Sequence, residues 1–140
     1  MKLISNSIEE TIGIGSKLAG KLKPGDVVAL IGDLGAGKTV LTKGIAKGLG
    51  VKDTRYVNSP TFVIIKEYKG KIPLYHFDLY RLDKPGMYDE ENFEEYFYGD
   101  GVTVIEWADK IVKLLPKKHI EVKLSVAGES KRKIEVRDKR

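Results

Sequence analysis

The chain has 140 residues, 41% hydrophobic and 32% charged, the profile of a folded globular protein with room for a core that needs neither disulfides nor a structural metal. It has no Cys and only two His, His76 and His119, which excludes a disulfide scaffold, a cysteine zinc site, an iron–sulfur cluster and a cysteine nucleophile. The net charge of +5 hides an uneven spread: residues 83–109 carry one Lys against nine acids, a net of −8, and residues 110–140 carry 11 Lys and Arg against 4 acids, a net of +7. That polarity suits docking to complementary surfaces, and equally two solvated faces.

No apolar segment follows Met1-Lys2-Leu3-Ile4, and no apolar run approaches the ~18 residues that span a bilayer. A cytoplasmic protein with no membrane partner is expected, folded as a single domain over residues 1–140. Lys2 to Ser5 reads as a short edge strand. Ser7-Ile8-Glu9-Glu10 has the form of a capping box, and the helix it opens is expected to run to about Leu22, with Ile8, Ile12, Leu18 and Leu22 inward. After a Lys23-Pro24-Gly25-Asp26 turn, Val27 to Ile31 is a continuous apolar run, as expected of a strand buried on both faces. A glycine-rich loop, Gly32 to Gly37, precedes a helix over 38–49 that Gly50 closes.

Thr61 to Tyr68 and Ile72 to Leu79 form a predicted hairpin around Lys69-Gly70-Lys71. The acidic segment holds a predicted short helix, Glu90 to Phe97. Val102 to Ile105 is a buried strand, Asp109 to Leu115 a helix stopped by Pro116, and His119–Val126 with Lys133–Arg137 a final hairpin. Strands alternate with helices early and hairpins follow. The expected fold is α/β, a P-loop NTPase-like three-layer arrangement with a mixed, partly antiparallel central sheet.

Gly32-Asp33-Leu34-Gly35-Ala36-Gly37-Lys38-Thr39 matches G-x-x-x-x-G-K-[ST] without departure. Glycines let the backbone N–H groups of Asp33, Leu34, Gly35, Ala36 and Gly37 curl round phosphate oxygens. The helix that follows points its positive end at the same anion. Lys38 is expected to reach the β- and γ-phosphates, and the Thr39 hydroxyl to ligate Mg²⁺. The motif follows a buried strand and opens a helix, the context it requires.

Hydrolysis needs an acid behind the metal and a group that orients the attacking water. Asp78 and Glu106 each close an apolar strand, where a parallel sheet presents its carboxyl ends to the ligand crevice. The order of P-loop, Ser59-Pro60-Thr61 loop, hairpin and Asp78 parallels that of small GTPases. By that analogy Thr61 contacts Mg²⁺ or the γ-phosphate and Asp78 holds Mg²⁺. Glu106 is then a further metal ligand or the residue that orients water, and which acid ligates the metal directly is left open. No N/T-K-x-D guanine tetrad is present, so ATP is the default nucleotide.

The motifs at 32–39, Ser59-Pro60-Thr61-Phe62, His76-Phe77-Asp78-Leu79-Tyr80-Arg81-Leu82 and Ile105-Glu106-Trp107 fall in one order. In this the chain resembles, over nearly its whole length, the TsaE (YjeE) family of small bacterial P-loop ATPases. The resemblance implies a part in making threonylcarbamoyladenosine beside the anticodon of tRNA, with two protein partners, TsaB and TsaD. It implies ATP hydrolysis that resets the complex between turnovers and is weak in the isolated chain. Roles carry over to Lys38, Thr39, Thr61, Asp78, Glu106 and Trp107.

Trp107, the only tryptophan, is either a core anchor or, beside Glu106, a residue near the nucleotide or a partner. Tyr80 and Arg81 follow Asp78 toward the same crevice, and Arg81 equally suits pairing with a nearby acid. His76 reads as a packed histidine and His119 as a strand-surface residue, neither with a role. A small-molecule kinase of the P-loop fold is the alternative, opposed by five Arg in all and no insertion long enough for a lid. A nucleic-acid module built on the basic tail lacks interleaved aromatics, so tRNA contact is expected only through the complex. The isolated chain is expected to be a monomer or weak oligomer.

Overall fold

The computed structural model describes residues 1–57, 65–80 and 90–140. Seven strands form one sheet: β1 (Lys2–Ser5), β2 (Val27–Ile31), β3 (Ile65–Tyr68), β4 (Leu74–Asp78), β5 (Val102–Glu106), β6 (Ile120–Val126) and β7 (Arg132–Asp138). Their spatial order is β1-β7-β6-β2-β5-β4-β3. The four central strands, β6, β2, β5 and β4, run parallel, and β3, β7 and β1 pair antiparallel at the two sides. The mixed, partly antiparallel sheet is as expected.

Helices α1 (Ile8–Ala19) and α2 (Lys38–Gly48) cover one face, and α3 (Glu90–Phe97) with a 3-10 segment, Ala108–Leu114, covers the other. Strand alternation sorts the core accordingly. Val28, Leu30, Val104 and Val122 pack toward α2, while Val27, Ala29, Phe77 and Ile105 pack toward α3. On that second face Phe77 meets Phe93 edge-on at 5.1 Å between ring centroids, a favourable aromatic geometry.

Ser7 caps α1: its Oγ accepts the Glu10 amide at 3.0 Å. Glu10 reaches back one residue further than a capping box requires, accepting from the Asn6 amide at 2.7 Å. The inward face of α1 is in part the one predicted, since Leu18 packs against the core and Leu22 is 7% exposed, but the buried positions within the helix itself differ. Ile8 is 63% exposed, and the buried positions are Thr11, Gly15 and Ala19. The reason is close approach to α2. A Cβ on Gly44 would lie 2.2 Å from the Ile12 carbonyl oxygen, and one on Gly15 would lie 2.5 Å from the Leu41 carbonyl oxygen. Small residues, not large apolar ones, set this contact, and α1 ends at Ala19 instead of Leu22.

The segment after β5 follows expectation in part. It is helical over Ala108–Leu114 and ends before Pro116, as expected, but it is 3-10 in character and broken at Ile111 (φ −130°, ψ 35°). Its entry residue is Trp107, in the left-handed region (φ 61°, ψ 39°), the one non-glycine residue there among those described. A bulky side chain at positive φ costs about 1–2 kcal/mol.

Candidate functional site

The loop joining β2 to α2 lies at the carboxyl end of the parallel strands, where open α/β sheets form ligand crevices. Gly35 (φ 80°) and Gly37 (φ 102°) hold backbone that L side chains rarely adopt. Gly37 is the N-cap of α2 and no side chain caps the first turn, which also carries no acid. A helix N-terminus without a side-chain cap or an acid is the kind that suits an anion.

Lys38 is 5% exposed. Its Nζ donates to the carbonyls of Gly32 (2.5 Å) and Asp33 (2.9 Å) and sits 4.1 Å from the centroid of the Trp107 ring. Burial pushes the Lys38 ammonium below its ordinary pKa, against the opposing pull of Glu106, Asp78, Asp109 and Asp33.

Register brings the acids together. In the parallel β4–β5 pair Asp78 stands opposite Glu106, and in β2–β5 Leu30 stands opposite Glu106. Glu106 is 2% exposed. Its two oxygens accept from the Thr39 hydroxyl at 3.0 and 3.1 Å. Asp78 is half-buried and accepts the Tyr80 amide at 3.0 Å. Tyr80 in turn lies 5.2 Å from the Trp107 ring, so it borders this crevice. Trp107 is half-buried at the crevice and not a fully enclosed core anchor. Leu34, at the loop's tip, is 72% exposed.

Thr61 and Arg81 lie outside the described residues. The expectations placed on them have no structural counterpart here.

Two features were invisible in the sequence. One is a cavity of about 390 Å³ beside the loop, lined by Asn6, Thr11, Gly35, Gly37, Val40 and Arg132 among others. It joins the start of α1 to the β6–β7 hairpin, and Arg132 donates to the Gly35 carbonyl at 3.3 Å. Only tertiary assembly brings these segments together. The other is His76, fully buried, whose Nε2 meets Glu106 Oε2 at 2.5 Å. The Glu-Trp and His-Phe-Asp motifs named both partners, but no spacing rule links them.

The donors present suit a hard, oxygen-seeking cation: one hydroxyl and one or two carboxylates, with places left for phosphate and water. Such a donor set would fit the protein share of a Mg²⁺ shell. No cluster of three or more His, Asp or Glu side chains able to cage a metal alone occurs among the described residues. Among them, too, no helix is long and apolar enough to cross a membrane.

The chain matches the family model "Threonylcarbamoyl adenosine biosynthesis protein TsaE" over residues 5–134. It is 50% identical over 127 residues to the tRNA threonylcarbamoyladenosine biosynthesis protein TsaE of Bacillus subtilis, covering 90% of this chain and 78% of that protein. It is 38% identical to the TsaE of Treponema pallidum over 136 residues, covering 97% and 99%. The crystal structure of Bacillus subtilis YdiB superposes with a TM-score of 0.83 at 40% identity, covering all of this chain and 86% of that one. With a P-loop crevice backed by Glu106 and Trp107 and relatives matched along most of its length, this chain belongs to the TsaE family of threonylcarbamoyl adenosine biosynthesis proteins.

Proposed function

We propose that the chain is a Mg²⁺-dependent ATPase subunit that serves the threonylcarbamoyladenosine modification of tRNA, in the cytoplasm, together with TsaB and TsaD. The observation that carries this reading is the Thr39–Glu106 contact beneath a complete phosphate-binding loop. Family membership supports the pathway, and the relatives' names state it for those proteins.

In this reading the amides of residues 33–39 and the N-terminus of α2 hold the phosphates of ATP. Lys38 leaves the Gly32 and Asp33 carbonyls for the β- and γ-phosphate oxygens. The cavity beside Gly35 and Gly37 receives the nucleoside. Thr39 and Glu106 would hold Mg²⁺, whose contribution when bound would be to neutralise charge on the phosphates. Asp78 stands opposite Glu106 on the neighbouring strand, where it would support the same metal site. Trp107 and Tyr80 wall the open side. Thr61 remains assigned to the γ-phosphate side by family resemblance. Contact with tRNA is indirect, through the complex.

The exposed Leu34 and Tyr80 at the crevice mouth favour a site that a partner completes. The test is phosphate release from ATP by the chain alone and with TsaB and TsaD added. Partner-stimulated release that Lys38→Ala abolishes is expected. Full activity in the isolated chain, or unchanged nucleotide affinity in Lys38→Ala, would contradict the proposal. Transfer of the γ-phosphate to a small metabolite would instead favour the kinase alternative.

A further inference from the structure

Glu106 is gripped from two sides. From α2, the Thr39 hydroxyl donates to both carboxylate oxygens. From β4, His76 Nε2 lies 2.5 Å from Oε2, with the two side chains 0% and 3% exposed. A carboxylate accepts hydrogen bonds and does not donate them, so Nε2 carries the proton in this pair.

The parallel register explains the placement. His76 stands opposite Val104, one pleat behind the Asp78–Glu106 pair. Residues two apart on a strand share a face, so His76, Asp78, Val104 and Glu106 all project to the α2 side of the sheet. The ring thus approaches Glu106 from the core, opposite the crevice. The other ring nitrogen, Nδ1, is buried without a hydrogen-bond partner among the described residues. A histidine retained for packing alone would be better replaced by an apolar side chain, because an unsatisfied buried nitrogen costs free energy. Among the described residues, the one polar contact this ring makes is to the carboxylate that faces Thr39.

We infer that His76 is a positioning residue: its Nε2–H orients Glu106 so that the carboxylate meets the metal beside Thr39. This rests on the metal-site reading proposed above. A glutamate has three rotatable side-chain bonds, and a donor fixed in the sheet removes the freedom of the last of them. Outer partners of metal ligands typically govern 10–100-fold in metal affinity.

The test uses the full chain, with Mn²⁺ as a paramagnetic probe read by EPR in the presence of ADP, and ADP affinity measured separately in EDTA. His76→Leu is expected to weaken Mn²⁺ binding about 10–100-fold while leaving ADP affinity in EDTA unchanged. His76→Gln, whose amide nitrogen reaches the place of Nε2, is expected to recover most of the loss. Should the Leu variant not fold, His76→Asn takes its place, since its shorter amide falls short of Oε2. Mn²⁺ affinity in the Leu or Asn variant equal to wild type overturns the inference. So does a parallel loss of metal and metal-free ADP binding that Gln fails to recover. Wild-type chain that takes up no Mn²⁺ overturns the metal site itself, and the positioning role with it.

Discussion

Thr39 and Glu106 are 67 residues apart in sequence and meet through a hydroxyl 3.0 and 3.1 Å from the two carboxylate oxygens. The contact follows from topology. Because β5 inserts beside β2 in parallel register, with Leu30 opposite Glu106, the last residue of β5 reaches the start of α2. In the proposed reading, a hydroxyl and a carboxylate brought together by two rigid elements would meet a cation with little reorganisation.

Trp107 offers an internal probe of this crevice. It is the only tryptophan, and the Lys38 ammonium lies 4.1 Å from its ring. Drawing Lys38 onto a phosphate removes that cation from the ring face, so ATP is expected to change the tryptophan emission in proportion to occupancy. Lys38→Ala should abolish the ATP-dependent change. Saturation detected by calorimetry with no change in emission would contradict the placement of Lys38.

The phosphate loop was legible because its demands are local: glycines at 35 and 37 meet positive φ within one turn of Lys38. Asp78 and Glu106 were legible as strand ends, since an apolar run closed by an acid marks the carboxyl edge of a buried strand. Their shared register, and the reach from Thr39 to Glu106, depend on which strands become neighbours, and no local pattern encodes that. His76 read as a packed histidine and is packed, but its partner lies 30 residues away. The face of α1 was legible in part: Leu18 and Leu22 pack in the core as their apolar character suggests, but the small residues that let two backbones touch carry no hydrophobic signal. The break after β5 begins at Trp107, whose left-handed backbone a propensity for helix does not anticipate.

That helix contact yields a stability prediction. Gly44→Ala would set a Cβ 2.2 Å from the Ile12 carbonyl, and overpacking of this kind costs about 1–3 kcal/mol or more. Gly13→Ala, on the same helix pair but with nothing within 4 Å of the new Cβ, is expected to stabilise by about 0.4–1 kcal/mol. Thermal unfolding of the two variants should therefore shift in opposite directions. Equal shifts would contradict the close α1–α2 approach.

The C-terminal strand end carries a pH-sensitive tie. The hydrogen bond from the Arg140 side chain, aided by the Arg140 amide, holds the Asp138 carboxyl down to about 2. Arg140 also donates to Asp26 and the Lys21 carbonyl. A carboxyl lowered in the folded state stabilises above its unfolded value of 3.8, and that contribution fades as pH falls from 3.8 toward 2. Asp138 is 49% exposed, so solvent screening keeps its share under about 1 kcal/mol. Asp138→Asn should flatten the loss of stability between pH 4 and pH 2 in thermal unfolding. An unaltered slope would show that the pair is not formed in solution.

The most direct test of the central claim is phosphate release from ATP by the chain with TsaB and TsaD, for wild type and Glu106→Gln, with Mg²⁺ and with EDTA. Glu106→Gln keeps the size of the side chain and removes its charge. The account predicts Mg²⁺-dependent release in wild type that falls at least about 100-fold in the variant, with ADP affinity in EDTA preserved. Glu106→Gln turnover equal to wild type, or wild-type release indifferent to EDTA, would contradict it.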